Sequence, residues 1–97
     1  MAKFHLTNKA VEDLADIWDY TCDTWSEKQA EKYYILLLHS CKELAKLPNR
    51  GKKYDEIAAG IMGYRSYQHV VFYRNLSAKE IEIVRILHGR MDLKNKL

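Results

Sequence analysis

Apolar and polar positions along this chain alternate first in twos, then in threes and fours, and finally in twos again. Phe4 and Leu6 alternate with Lys3 and His5, the period of a short strand. Thr7-Asn8 follows and offers side-chain oxygens to the orphan N–H groups of a helix start. Val11, Leu14, Ala15, Trp18, Cys22 and Trp25 then recur at helical spacing. Glu12, Asp13, Asp16, Asp19 and Asp23 occupy the other side of that helix, which reads as a solvated face. Ser26-Glu27-Lys28-Gln29 reads as a capping box that opens a second helix. Its stripe is Ala30, Tyr34, Leu37, Leu38, Cys41, Leu44 and Ala45. Pro48 closes it, because proline removes a backbone donor and clashes with the preceding turn. The short break at 24–26 predicts an antiparallel helix hairpin.

Beyond Pro48 the pattern changes. Residues 49–53, Asn-Arg-Gly-Lys-Lys, form a basic turn, and 54–59 are a connector. Residues 61–67 and 70–74 are rich in Tyr, Val and Phe and read as strands. Asn-Leu-Ser-Ala-Lys at 75–79 reads as a hairpin loop. Residues 80–88 form a third strand, with Ile81 and Ile83 facing one way and Glu82 and Val84 the other. Ile86 and Leu87 make its second half apolar on both faces, as in a central strand. The charged tail 91–97 reads as frayed. The predicted order is β-α-α-β-β-β, an α+β fold whose helix hairpin lies on one face of a small, mostly antiparallel sheet. Ninety-seven residues hold one such domain, spanning 1–97.

Composition adds exclusions. An apolar content of 47% fits a globular chain rather than a disordered one. The longest apolar run, 33–38, is far below the roughly 20 residues of a membrane span. The N-terminus has no signal-peptide core, and Cys22 and Cys41 sit in helical stripes without metal-ligand spacing. A cytoplasmic protein with reduced thiols and no membrane partner is expected.

Charge changes the picture more. Residues 1–48 hold six basic and eight acidic side chains, a net −2, whereas 49–97 hold ten basic and five acidic, a net +5. The cationic half suits nucleic acid, an acidic protein, or both. Its arginines, Arg65, Arg74, Arg85 and Arg90, fall on or beside the three strands, with Tyr64, Tyr67, Tyr73 and His88 among them. In register on neighbouring strands they would converge on one patch. Guanidinium forks bind phosphate or carboxylate, and tyrosines offer stacking faces or phenolic donors. A ribonuclease needs such an inventory, and a protein-binding surface needs only the cations and aromatics. The four histidines show no HExxH pairing, so no metal and no cofactor are expected. No glycine-rich phosphate loop is present, because Gly60-Ile61-Met62-Gly63 is too short and precedes a strand.

Tyr64-Arg65-Ser66-Tyr67, Val70-Val71-Phe72-Tyr73-Arg74 and the closing Ile86-Leu87-His88-Gly89-Arg90-Met91-Asp92 resemble the ParE branch of the ParE/RelE toxin superfamily. The helix entry at 7–14, the Trp-Ser turn at 25–26 and the Leu47-Pro48 helix end agree with it. The resemblance covers nearly the whole chain. It implies the toxin of a type II toxin–antitoxin (plasmid stabilisation) pair. ParE-like toxins poison DNA gyrase without catalysis, and RelE-like relatives cut messenger RNA on the ribosome. RelE-type nucleases place a Tyr or His-Tyr pair near the C-terminus, whereas this chain has no aromatic after Tyr73. Gyrase inhibition is therefore the expected activity. An inactive family member is the third reading.

By the same resemblance, Arg65, Arg74, Arg85 and Arg90 would contact gyrase or its DNA, and the segment from His88 to Asp92 would belong to the toxic surface. In the nuclease alternative Arg65 and Arg85 would hold phosphate, and His88 or Tyr73 would move the proton. A ParD-like antitoxin would fold onto the toxin as a hetero-oligomer, with Trp18, Trp25 and Tyr33 as anchors. The plainer account of Trp18 and Trp25 is membership of the hairpin core. Direct DNA contact is expected only through the antitoxin or the gyrase–DNA complex. Relatives usually carry extra residues where Tyr67-Gln68-His69 meets Val70. A tight turn at Gln68-His69, a bulged strand running through, or residues missing from this sequence would each account for the difference.

Overall fold

The computed structural model describes residues 2–90. The chain enters through β1 (Lys3–Leu6) and turns at Thr7, whose side chain accepts from the Ala10 N–H as the N-cap of α1 (Asn8–Thr24). Ser26 does the same for α2 (Glu27–Lys46), accepting from the Gln29 N–H at 3.0 Å. Pro48 starts a short 3-10 turn, Pro48–Arg50, in place of further helix. Four strands follow: β2 (Lys52–Lys53), β3 (Met62–Ser66), β4 (His69–Ser77) and β5 (Glu80–His88). The sheet order is β1-β5-β4-β3-β2, antiparallel except where β1 runs parallel to β5. The predicted β-α-α-β-β-β order is thus present, with the two-residue β2 added.

Both helices lie on one face of the sheet. Ala10, Leu14, Leu37, Cys41, Leu44 and Ala45 from the helices meet Met62, Val71, Tyr73, Ile81, Ile83 and Ile86 from the strands. The other face carries a smaller cluster, in which Tyr54, Ile57, Ala58 and Ile61 cover Val70, Phe72, Val84 and Leu87. Strict alternation would put Ile83 and Ile86 on opposite faces. The register resolves this: Phe72 pairs with Arg85 and Tyr73 with Ile83, so Val84 is the extra residue of a β-bulge.

Several boundaries differ from the sequence reading. β4 continues to Ser77, so 75–77 are strand and the hairpin turns at 78–79. A second bulge at Leu76 absorbs the mismatch, and pairing with β5 overrides the turn-like composition. The β3–β4 connection is a two-residue turn at Tyr67-Gln68, one residue earlier than expected. Tyr67 takes φ 57 there, the left-handed region that glycine or asparagine normally fills, at a strain of about 1–2 kcal/mol. The buried face of α1 is also rotated from the predicted stripe, since Val11, Ala15 and Trp25 are exposed. The tail 91–97 lies outside the described residues.

The largest departure is Asp13. It was expected on a solvated face and is only 8% exposed. β1 ends opposite Ile83, which would leave the β5 edge unpaired from Val84 onward. Thr7 and Asp13 complete it instead. The Thr7 N–H donates to the Ile83 carbonyl and the Thr7 hydroxyl to the Val84 carbonyl. Asp13 Oδ2 accepts from the Ile86 N–H at 3.0 Å and from Arg85 Nε at 2.8 Å, and Oδ1 accepts from Arg85 Nη2 at 2.8 Å. Removing the carboxylate strands a half-buried guanidinium and a buried N–H together. Asp13→Ala is expected to cost about 3 kcal/mol in urea unfolding. An Asp13→Leu/Arg85→Met double variant should cost less than Asp13→Ala, because it leaves no charge unpaired.

Candidate functional site

The strands set where the arginines can go. Arg65 pairs with Val70, Arg85 with Phe72 and Arg74 with Glu82. Val70 and Phe72 belong to the cluster on the face away from the helices, so all three arginines start from that face. Their side chains then part. Arg74 and Arg85 line a cavity of about 440 Å³ with Thr7, Asn8, Lys9 and Ile61. Arg65 turns to the other end of the ladder, where its Nε donates to the Tyr67 carbonyl at 3.0 Å. Its guanidinium lies against Gly89, where an added Cβ would stand 2.8 Å from Nη1. Arg90 follows, with its N–H donating to His88 Nδ1. The expected single patch is therefore two cationic stations on one face, because the segment 54–61 fills the middle. Gly63 makes room for that segment, since a Cβ there would meet the Tyr54 ring at 2.6 Å. Arg85 arrives already bound to Asp13, which raises its pKa further. Asp92 lies outside the described residues.

Tyr73 is fully buried, and its hydroxyl is committed. It donates to the Pro48 carbonyl at 2.6 Å and accepts from the Gly51 N–H at 3.0 Å. It ties the chain just after α2 to β4. His88 is half-buried and meets the ring of His69, its direct cross-strand partner, at 5.3 Å between centroids. His69 Nδ1 and the Tyr33 hydroxyl share a hydrogen bond of 2.7 Å, and the Tyr33 oxygen accepts from the Gln68 N–H. Burial, with His88 beside it, pushes His69 down to about 4 against a smaller upward pull from Asp13. The sequence reading missed His69, whose pairing with His88 follows only once the turn is placed at Tyr67-Gln68. Cys41 is buried, which pushes its thiol up to about 12, whereas Cys22 is only half-buried.

The three aromatic anchors are not brought together. Trp18 is half-buried, edge-on to Tyr34, in a groove of about 470 Å³ lined by Leu6, Val11, Leu14 and Ala15. Trp25, at the end of α1, is 74% exposed and is no part of the hairpin core. Tyr33 packs against Tyr67 and His69. Val11, Tyr34, Ile35 and Leu36 are exposed apolar residues that the predicted stripes did not assign to a surface. The run 33–38 carried that signal, because one helix face cannot bury six consecutive apolar residues.

A two-helix hairpin on a β1-β5-β4-β3-β2 sheet with cationic strands is an architecture this chain shares with known proteins. The family model described as the ParE toxin of the type II toxin–antitoxin system parDE matches residues 4–93. Toxin ParE1 of Mycobacterium tuberculosis (strain CDC 1551 / Oshkosh) is 36% identical over 99% of this chain and 98% of its own. Toxin ParE1 of Caulobacter vibrioides is 34% identical over 100% of this chain and 99% of its own. A chain from the chromosomal ParDE TA system of P. aeruginosa superposes with a TM-score of 0.75 at 24% identity, covering 91% of this chain and 96% of that one. This chain belongs to the ParE toxin family of type II toxin–antitoxin systems.

Two measurements test the geometry. Tyr73→Phe should lose about 1–2 kcal/mol of stability, because two half-buried partners lose one hydroxyl. His69 resists its proton when folded and accepts it near 6.5 when unfolded. Its contribution is therefore complete above pH 6.5 and drains as the pH falls toward 4. The thermal midpoint should drop across that window, and His69→Gln should flatten the drop.

Proposed function

We propose that this ParE toxin inhibits DNA gyrase without catalysis and is silenced in the cytoplasm by a ParD-like antitoxin in a hetero-oligomer. Membership of the ParE family along nearly the whole chain carries the reading. The commitment of Tyr73 to the fold supports it, because that removes one of the two proton carriers the nuclease alternative could use. In this reading Lys9, Arg74 and the Asp13-held Arg85 form one contact, and Arg65 with the His88–Arg90 end forms the other. Two separated stations suit a large, jointed target such as an enzyme bound to DNA. The groove beside Trp18 is the seat for an amphipathic antitoxin segment, since it presents exposed apolar side chains along β1 at the sheet edge.

One observation favours the second reading. His69 and His88 touch beside Arg65 and Arg90, which is an inventory for moving protons near a phosphate. Supercoiling and primer-extension assays separate the two. The expected result is loss of gyrase supercoiling with accumulation of cleaved DNA, and uncut translated message. Arg74→Ala should weaken inhibition at least tenfold with no change in thermal midpoint. Val11→Lys should weaken antitoxin binding and leave inhibition intact. No inhibition at any toxin excess, together with cut message, would replace the gyrase reading with the nuclease one.

A further inference from the structure

β2 pairs only with Met62 and Gly63, so among the described residues no strand pairs with the outer edge of β3 from Tyr64 to Ser66. A cavity of about 310 Å³ opens along that edge, between β3 and α2. Its lining includes Tyr64 and Tyr67, Arg50 and Arg65, and Ser40 and Ser66. His39 and Glu43 complete the polar wall, and the Glu43 carboxylate lies 3.6 Å from Lys46 Nζ. The balance at the wall is cationic. The two serine hydroxyls lie 2.6 Å apart. One donates to the other, which leaves the acceptor's own proton to offer elsewhere.

Tyr67 is the second observation. It holds a left-handed φ of 57 at a turn where glycine or asparagine would sit unstrained, and the residue is 58% exposed. Arg65 holds it there through the Tyr67 carbonyl. Its one ring neighbour of note, Tyr33, stands edge-on at 6.2 Å. Relief of the strain and loss of that edge contact are of similar size, so folding alone gives no reason for a tyrosine at this turn.

We infer that the pocket between α2 and the open β3 edge binds one unpaired nucleotide of a nucleic-acid strand. The base stacks on Tyr67 beside Tyr64, Arg50 takes one flanking phosphate, and the strand runs on past the turn to the Arg65 guanidinium beside Gly89. The volume sits at the small end of ligand sites, roughly 300–1,000 Å³, which admits a single nucleotide and excludes a base pair. Stacking on an exposed aromatic beside arginines is how proteins hold single strands without reading sequence. The inference deepens the proposed target contact at Arg65 by giving the toxin a direct grip on a strand, apart from gyrase and antitoxin.

The test is fluorescence anisotropy of the full-length toxin with labelled twelve-residue oligothymidylate, its uridylate counterpart, and a duplex of equal length. Binding of the single strands in preference to the duplex is expected, and the ratio of the first two distinguishes DNA from RNA as the source of the strand. Tyr67→Asn should weaken binding about tenfold while the thermal midpoint stays within a few degrees. Tyr67→Phe should restore it. Arg50→Gln should flatten the salt dependence, and Lys79→Gln in the β4–β5 turn should not. Absence of single-strand binding, preference for duplex, or an unaltered Tyr67→Asn would overturn the inference. The assay contains no gyrase, so oligonucleotide binding without supercoiling inhibition would fault the gyrase reading alone, and the converse would fault this one alone.

Discussion

The carboxylate of Asp13 is the joint on which the two layers of this molecule meet. A five-stranded sheet whose parallel edge strand is only four residues long leaves half of its neighbour uncovered. Unpaired N–H groups at such an edge are costly when buried and adhesive when exposed. Thr7 and Asp13 finish the edge from the first two turns of α1, so the helix is pinned to β5 by hydrogen bonds as well as by apolar packing. The bulge at Val84 belongs to the same arrangement. It returns Ile86 to the core and turns the Val84 carbonyl toward Thr7.

That joint also decides how the cationic side is used. Arg85 leaves from the face opposite the helices, yet its guanidinium is drawn to the edge by Asp13 and held in a fixed fork. It offers a rigid, partly neutralised donor set, whereas Arg74 and Lys9 beside it are ordinary solvated cations. The 54–61 segment, seated on Phe72 and accommodated by Gly63, divides this side into two. A partner that engages both stations must span an apolar ridge, which favours a large surface over a small anion.

Much of the fold could be read from the residues. Helix caps at Thr7 and Ser26, the stop at Pro48 and the alternation in β5 are local signals, and each is where the spacing put it. What could not be read was set by pairing across the sheet. Asp13 follows the same helical spacing as its solvated acidic neighbours, and only the short reach of β1 makes it a buried partner. The extension of β4 through Asn75, and the meeting of His69 with His88, depend on register, which one bulge shifts. The candidate arginines were legible as a set on one face, but their division was not, because the covering segment has a loop-like composition.

The pairing of β1 with β5 has a consequence in time. Residues 3–6 find their strand partner only in residues 80–83. Contacts that far apart along a chain form late, since the loop between them must close first. During synthesis the helical hairpin emerges early, with no sheet to lie on and with Asp13 awaiting an arginine still to be made. The two helices therefore gain the sheet they lie on only after residues 80–88 have left the ribosome.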